Sequence, residues 1–334
     1  MATVGTAVTL MDIRSRLDPD GLPARIVEVL AKENQIVNDM LWMEGNLPTG
    51  NVTTQRTSIP VPSVRRLNRG VVPSKSTTAQ VTDTCTIFED FNDIDEHVLS
   101  IAPNMEAERM SQDAAFTEGF REKIAQMAFY GDTDNDAGEF NGLQKRFAKI
   151  STTKGKPGYQ IVSASGSGNV NSSAWFVEWG DQAVCGIYPR GETGAMTTND
   201  KGQVSKTDSA GRVMYVYRTQ FYWKPGLAVK NFRKVSRLAN IDVTNIQTYG
   251  QSTGDVSANL LQKFIIAKNR IYQPGNVVCY VSNTVYDWAE IMLQDKKNVY
   301  ITRQELMGKP PQLYFSGIPL RRCDALLETE STIS

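Results

Sequence analysis

The chain of 334 residues carries one histidine, His97, so any Ser-His-Asp or Cys-His nucleophilic centre would have to be built on it. Its neighbours Asp93, Asp95 and Glu96 read as a solvated acidic face, and a lone histidine without a patterned partner is usually structural. The cysteines, Cys85, Cys185, Cys279 and Cys323, are widely spaced with no C-x-x-C pair, so no zinc cluster forms in sequence. Gly166-Ser167-Gly168 is followed neither by Gly-Lys-Ser/Thr nor by a helix, which excludes a phosphate loop. Residues 132–139 (DTDNDAGE) have the beginning of a calcium loop, but the twelfth position counted from Asp132 is Leu143, where a bidentate carboxylate is needed. That run is expected to be a polar loop after a helix. No two carboxylates are singled out as a glycosidase pair. No catalytic residue, cofactor or metal is therefore expected, and an enzymatic reading rests on no positive feature.

The segments around these residues describe a different kind of molecule. Hydrophobic content of 40% with 9% aromatics is globular and allows a sizeable core. Lysine plus arginine equals aspartate plus glutamate at 36 each, without the basic excess of a dedicated nucleic-acid binder. Neutrality also lowers self-repulsion between packed copies. The beginning of the chain lacks the basic start and apolar run of a signal peptide, and no apolar stretch of about 20 residues exists to span a membrane. The cysteines are expected to be reduced, partly buried thiols of a chain made in a cytoplasm.

Residues 51–82 contain five basic residues, Arg56, Arg65, Arg66, Arg69 and Lys75, and no acid. They are rich in threonine, serine and valine, with Pro60, Pro62 and Pro73, and Asn68-Arg69-Gly70 is a turn signal that would fold them into a long hairpin. Residues 83–108 invert the charge: Asp83, Glu89, Asp90, Asp93, Asp95, Glu96, Glu106 and Glu108, with no lysine or arginine. A basic arm beside an acidic patch can pair within one chain or between neighbours, where it sets register and orientation more than affinity. Two solvated faces remain the plain alternative.

The remaining elements are read from periodicity. A helix is expected from about Pro23 to Gly45, carrying Ile26, Leu30, Val37, Met40 and Leu41. A longer one is expected over 103–130, with Phe116, Phe120, Ile124 and Met127 on one stripe, Met105 and Met110 upstream, and Gly131-Asp132 as the stop. Residues 151–172 read as a loop. Residues 175–188 and 213–235 read as strands, the latter with a turn at Pro225-Gly226, and 195–212 as a polar loop between them. A helix over 256–272, a strand over 277–281, a helix capped by Asn283 and a strand hairpin around Gly317-Ile318-Pro319 complete the chain. Trp175, Trp179 and Trp223 are assigned to the core. The fold class is α+β with extended arms.

This order of segments resembles the tailed-phage major capsid fold of the Hong Kong 97 type, which is shared with encapsulins. The likeness covers roughly residues 20–330 and is nearer to the capsid proteins of epsilon-fifteen-like short-tailed phages. Residues 26–46 (IVEVLAKENQIVNDMLWMEGN) resemble the family's arm helix, and 59–74 (IPVPSVRRLNRGVVPS) its loop signature. Gly131 with Phe140-Asn141-Gly142-Leu143, Ile187-Tyr188-Pro189-Arg190-Gly191, Arg237-Leu238-Ala239-Asn240-Ile241 and residues 315–326 (FSGIPLRRCDAL) resemble further family stretches in order.

The resemblance implies an N-terminal arm over 1–50, an extended loop over 51–84, a peripheral domain over 85–150 and 311–334 containing the spine helix, and an axial domain over 151–310 with a β-rich insertion. It implies hexamers and pentamers closing into an icosahedral shell around double-stranded DNA, without sequence-specific binding. It further implies portal, scaffold and cementing partners, no membrane, a place in the virion, and assembly in the host cytoplasm. Arg56, Arg65, Arg66, Arg69 and Lys75 would then lie on a neighbour, with Glu89, Asp90, Asp93, Asp95 and Glu96 as the acidic partners. Some relatives cross-link this loop through a lysine, and Lys75 is the one lysine available in it. Two other readings stay open: an encapsulin-like compartment, and a soluble enzyme or carbohydrate-binding domain, which would be a discrete monomer or small oligomer.

Overall fold

A computed structural model of the chain describes residues 34–101, 104–208, 210–248, 256–294, 299–304 and 311–334. Residues 1–33 of the arm expected over 1–50, with the first part of the helix placed at Pro23, lie outside the described residues. The part that is described corrects the end of that helix. A short helix, Ile36–Asp39, stops at Met40, whose ψ of 128° is extended. Trp42–Glu44 is a strand, paired in parallel with Gly186, Ile187 and Tyr188. Packing overrides helical propensity here. The Trp42 indole sits 4.9 Å from the Trp223 ring and covers Gly186, where a Cβ would come within 2.7 Å of it.

The centre is a seven-stranded mixed sheet in the order Ile301–Gln304, Gln312–Phe315, Ile318–Arg322, Val277–Val281, Asn171–Glu178, Val235–Asp242 and Ile161–Ser163. Asn171–Glu178 and Val277–Val281 are buried along their whole length, so they show continuous burial instead of alternation, as in a sheet covered on both faces. Adjacent residues still divide between the faces. Trp175 joins the core with Phe129, Phe147 and Tyr280, while Phe176 packs with Phe264, Trp288 and Phe315 on the other side. Trp175, Trp179 and Trp223 are all buried, as their assignment to the core requires.

The longest helix, Met105–Tyr130, has 26 residues and measures about 39 Å at the usual rise. Asn104 caps it by accepting from the Ala107 N–H at 3.2 Å. Gly131 ends it against the Phe140 carbonyl oxygen, 2.3 Å from where a Cβ would be. Phe120, Ile124 and Met127 are buried, and Phe116 stacks on Phe221 at 5.4 Å. The apolar stripe serves only the second half, because Met110 is 73% exposed. The first half is held by polar contacts instead. Arg109 donates to Asp200 at 2.9 Å and Thr219 at 3.1 Å and lies over the Tyr217 ring.

Those contacts belong to a three-stranded sheet, Phe88–Asp95, Val213–Trp223 and Thr197–Thr207. Residues 197–207 are thus an eleven-residue strand where a polar loop was expected. Its sequence (TTNDKGQVSKT) is polar on both faces, so no alternation of hydrophobicity marks it; the partner strand supplies the aromatic surface. Pro225-Gly226 does separate two strands, but Gly226–Val229 changes sheets and pairs with Val184–Tyr188. Ser282, not Asn283, occupies the cap position of the helix Asn283–Met292, and the carboxylate of Glu328 receives the Thr284 N–H at 3.1 Å. The closing hairpin spans Gln312–Phe315 and Ile318–Arg322, turning at Ser316 and Gly317 with φ of 49° and 84°, the paired positive values of a type I′ turn. None of the four cysteines forms a disulfide; Cys85 is half-buried and the other three are buried. Burial pushes the Cys85 thiol up to about 12 and the Cys185 thiol to about 11, so neither is a ready nucleophile.

Candidate interaction surfaces

The basic window forms an arm rooted in the body. Gly50–Ser58 pairs antiparallel with Thr77–Thr84. At the root, Asp83 is buried and meets Arg146 at 2.7 Å, while the Gln55 amide donates to the carbonyls of Val229 and Lys230 at 3.2 and 3.0 Å. Cys85 N–H donates to the Thr49 carbonyl at 2.9 Å, closing the base of the hairpin. Beyond this ladder, every residue of 59–76 is exposed. The arm turns at Asn68, whose φ is 61°, and the Arg69 N–H donates back to the Arg66 carbonyl at 3.2 Å. This is the turn that Asn68-Arg69-Gly70 signals.

Arg56, Arg65, Arg66, Arg69 and Lys75 are all exposed, and none takes part in an ion pair among the described residues. The structure adds residues that the charge argument left out. Ile59, Val61, Val64, Leu67 and Val72 are exposed by 77, 76, 95, 95 and 84%. Their spacing through the arm was visible in the sequence, but the charges were more conspicuous.

The acidic residues are placed on one strand, Phe88–Asp95, and the short helix Glu96–Ile101 that follows it. Several are already engaged within the chain. Asp93 accepts from Arg218 Nε at 2.6 Å and Nη2 at 2.8 Å, and from Lys206 at 2.9 Å. The hydrogen bond from Arg218, with Lys206 beside it, holds the Asp93 carboxyl below the usual range. Asp95 accepts from the His97 N–H at 2.8 Å, and Glu96 from Gln203 at 2.7 Å. Glu89 accepts from Gln220, and Asp90 from the N–H of Phe91 at 2.8 Å. Glu89 and Asp90 are the exposed members of the set; Asp93, Asp95 and Glu96 are half-buried.

His97 is exposed and its backbone, through Asp95 and Ser100, belongs to the start of that short helix. In the 132–139 loop, Lys145 stands beside Asp132 at 2.8 Å and also pairs with Asp134, so an ammonium group takes the place a metal would need. Among the described residues, no group of three His, Cys, Asp or Glu side chains is arranged to hold a metal ion. Among them, too, no helix is long and apolar enough to cross a membrane.

Between the strand Phe88–Asp95 and the long helix runs a groove of about 440 Å³. Phe88, Ala115, Phe116, Gly119 and Phe120 line it, with Glu89, Asp90 and Lys123 at its edges. Phe116 and Phe120 share one apolar stripe at helical spacing. Phe120 is buried there, whereas Phe116 and Phe88 are only half-buried and give the groove its apolar wall.

Residues 18–334 match the family described as major capsid protein GP7. A chain in the structure of bacteriophage Epsilon15 is similar over 100% of this chain and 99% of its own length, with 32% identity and a TM-score of 0.76. The capsid of bacteriophage JBD30 shares the fold over 89% of this chain and 93% of its own, with 9% identity and a TM-score of 0.51. The encapsulin of the holo-SrpI complex from Synechococcus elongatus is more distant, at 10% identity and a TM-score of 0.42 over 66% of this chain and 94% of its own. No curated protein sequence matches the chain.

Proposed function

The chain belongs to the major capsid protein GP7 family, and from that premise we propose that its copies assemble as hexamers and pentamers into an icosahedral phage head enclosing double-stranded DNA. A major capsid protein is a structural component of the virion shell, and its work is to bind other copies of itself. The observation that carries the assembly reading is the arm: residues 59–76 are exposed throughout, carry basic and apolar side chains, and find no covering surface among the described residues of their own chain. Such a segment loses conformational entropy on ordering, and contacts with another molecule must offset that cost.

On this reading, residues 1–50 are an arm and 51–84 the extended loop. Residues 85–150 with 311–334 form a peripheral unit around the long helix, and 151–310 an axial unit that includes the polar hairpin. Arg56, Arg65, Arg66, Arg69 and Lys75 face a neighbour. Of the acidic set, Glu89 and Asp90 are best placed to receive them, since Asp93 already has two cations. Portal, scaffold and cementing proteins are the further partners, the DNA is enclosed without sequence-specific contacts, and assembly takes place in the host cytoplasm. Size-exclusion chromatography with negative-stain microscopy of the purified chain, alone and with its phage partners, tests this. Closed icosahedral particles are expected. A chain that stays monomeric under all those conditions overturns the assembly reading and returns the enzyme or carbohydrate-binding alternative to consideration.

A further inference from the structure

The chain has no net charge, yet its charges are sorted along it. Residues 140–177 carry five lysines and arginines and no acid, and residues 209–241 carry seven and no acid. The fold lays the two stretches side by side, with Ile161–Ser163 paired in parallel to Arg237, Leu238 and Ala239. Eight of these twelve cations pair with an acid from outside the two stretches, as Lys230 does with Asp181 and Lys234 with Glu178. Lys149, Lys154, Lys156 and Arg233 are the other four. All are exposed, and none takes part in an ion pair among the described residues.

Two turns bring these four together. The Lys156 N–H donates to the Thr153 carbonyl at 3.3 Å, and Gly155 between the two lysines takes a φ of 96°, the positive value that the third place of a type II turn needs. The loop is closed behind that turn. The Ser151 N–H donates to the Gly158 carbonyl at 3.1 Å, and Gly158 lies against the Lys149 carbonyl oxygen, 2.3 Å from where a Cβ would be. Arg233 stands in the turn Phe232–Lys234, which Asn231 caps by accepting from the Arg233 N–H at 3.0 Å. Gly155 and Arg233 open onto one cleft of about 710 Å³. Asp181, the one acid among the described residues that line it, is held by Lys230 at 2.9 Å.

Resting on the reading of this chain as a shell subunit, we propose that this surface holds the phosphate backbone of the enclosed double-stranded DNA through Lys149, Lys154, Lys156 and Arg233. The make-up of the surface selects that partner over a protein. No large apolar side chain is exposed between residues 149 and 158, whereas the arm exposes several. A surface that docks a protein has an apolar centre, while cations alone suffice for phosphates. Contacts to phosphate position a duplex without reading its sequence. Four contacts on one subunit bind weakly, and many copies in a shell acting on one duplex supply the strength. A chain without net charge can therefore hold DNA on one face.

Lys154→Gln combined with Lys156→Gln removes two cations and leaves the glycine of the turn in place, so the melting temperature should match the parent. Binding of a short labelled DNA duplex is read by fluorescence anisotropy, with the full chain at concentrations below particle formation. The parent's affinity should fall with salt at a log–log slope of about −3 to −4, as four phosphate contacts require. The double variant should bind at least about tenfold more weakly at low salt, with a slope shallower by about 2, for every duplex sequence alike. In DNA-filled particles, Lys154 and Lys156 should react more slowly with an amine-acylating reagent than in emptied ones, as read by peptide mass spectrometry. An unchanged affinity and salt slope in the variant, or equal acylation of filled and emptied particles, overturns the proposal and leaves the shell reading in place. A variant that binds duplex like the parent but needs a higher concentration to assemble makes the surface a contact between copies, and overturns it too. Failure of the unaltered chain to form particles overturns the shell reading, while anisotropy on the unassembled chain still decides whether the surface binds phosphates.

Discussion

The guanidinium of Arg237 and the carboxylate of Glu330 meet at 2.9 Å with side-chain exposures of 0 and 3%. They join the middle of the central sheet to the last residues of the chain. Arg237 also donates to the Phe147 carbonyl and to Ser173, and it lies 4.7 Å from the centre of the Trp175 ring. Glu330 accepts from Ser173 and from the Tyr130 hydroxyl at 2.7 Å, and that hydroxyl accepts the Leu327 N–H at 2.9 Å. One buried network therefore ties the end of the long helix, the sheet and the C-terminal segment together.

Breaking such a pair from one side leaves a buried charge without its partner. Glu330→Ala should destabilise the chain by about 3–5 kcal/mol, the range for a severed buried ion pair. Tyr130→Phe, which removes one donor and one acceptor while keeping the ring, should cost about 1–3 kcal/mol. Chemical denaturation read by tryptophan fluorescence distinguishes them, since Trp175 lies against Arg237. Equal stability of Glu330→Ala and the parent would mean that the network is not formed in solution.

The carboxylate of Asp93 gives a pH dependence of known sign. Its folded-state pKa lies below the ordinary value, first through the Arg218 hydrogen bond and then through Lys206. A depressed carboxylate pKa favours the folded state fully above the unfolded value of about 3.9, and the gain is lost as pH falls through the lower folded value. Asp93→Asn should therefore weaken the chain at pH 7, by about 1–3 kcal/mol for the charged hydrogen bonds lost. Its stability should also fall less than the parent's as pH drops below the ordinary carboxylate range. Denaturant midpoints measured across that range check it, and parallel curves would show that Asp93 is not the titrating group.

Two glycines on or beside the same helix should respond in opposite directions. Gly131→Ala would place a Cβ 2.3 Å from the Phe140 carbonyl and 2.7 Å from that of Met127, both of them backbone atoms. The expected loss is at least about 1–3 kcal/mol, the cost of overpacking. At Gly119, inside the helix and facing open space, alanine should stabilise by about 0.5–1 kcal/mol through the smaller entropy of its unfolded state. Melting temperatures moving in the same direction would contradict this reading of the two sites.

The helix that carries these glycines was legible because its second half meets the core at Phe120, Ile124 and Met127, and Gly131 cannot be crossed. The strand Val277–Val281 was equally plain, as a short apolar run buried on both faces. The strand Thr197–Thr207 was not. Its faces are both polar, and what makes it a strand is a ladder to Val213–Trp223. Arg237 and Glu330 are 93 residues apart, and nothing local in either marks a buried charge. The arm's arginines were visible as a run without acids, whereas the groove lies between Phe88 on one element and Phe116 on another, so only the folded chain brings its walls together.

The arm's charges lead to the last prediction. Arg65→Glu combined with Arg66→Glu alters two exposed side chains, so far-UV circular dichroism and the melting temperature should match the parent. Particle formation should be weakened or blocked at physiological salt, where charges within about 8 Å still interact. Opposed like charges raise the cost of docking, and the main effect falls on the rate of association. Introducing Glu89→Lys and Asp90→Lys into the same chain restores opposite signs at the proposed contact and should recover a large part of the parental assembly rate, followed by light scattering. Lys206 and Arg218 remain with Asp93 in that background, so the strand itself is expected to hold. Normal shells from the arginine reversal at physiological salt would remove the arm's charges from assembly. A reversal that blocks assembly and is not relieved by the two lysines would place the arm's acidic partner elsewhere on the neighbour.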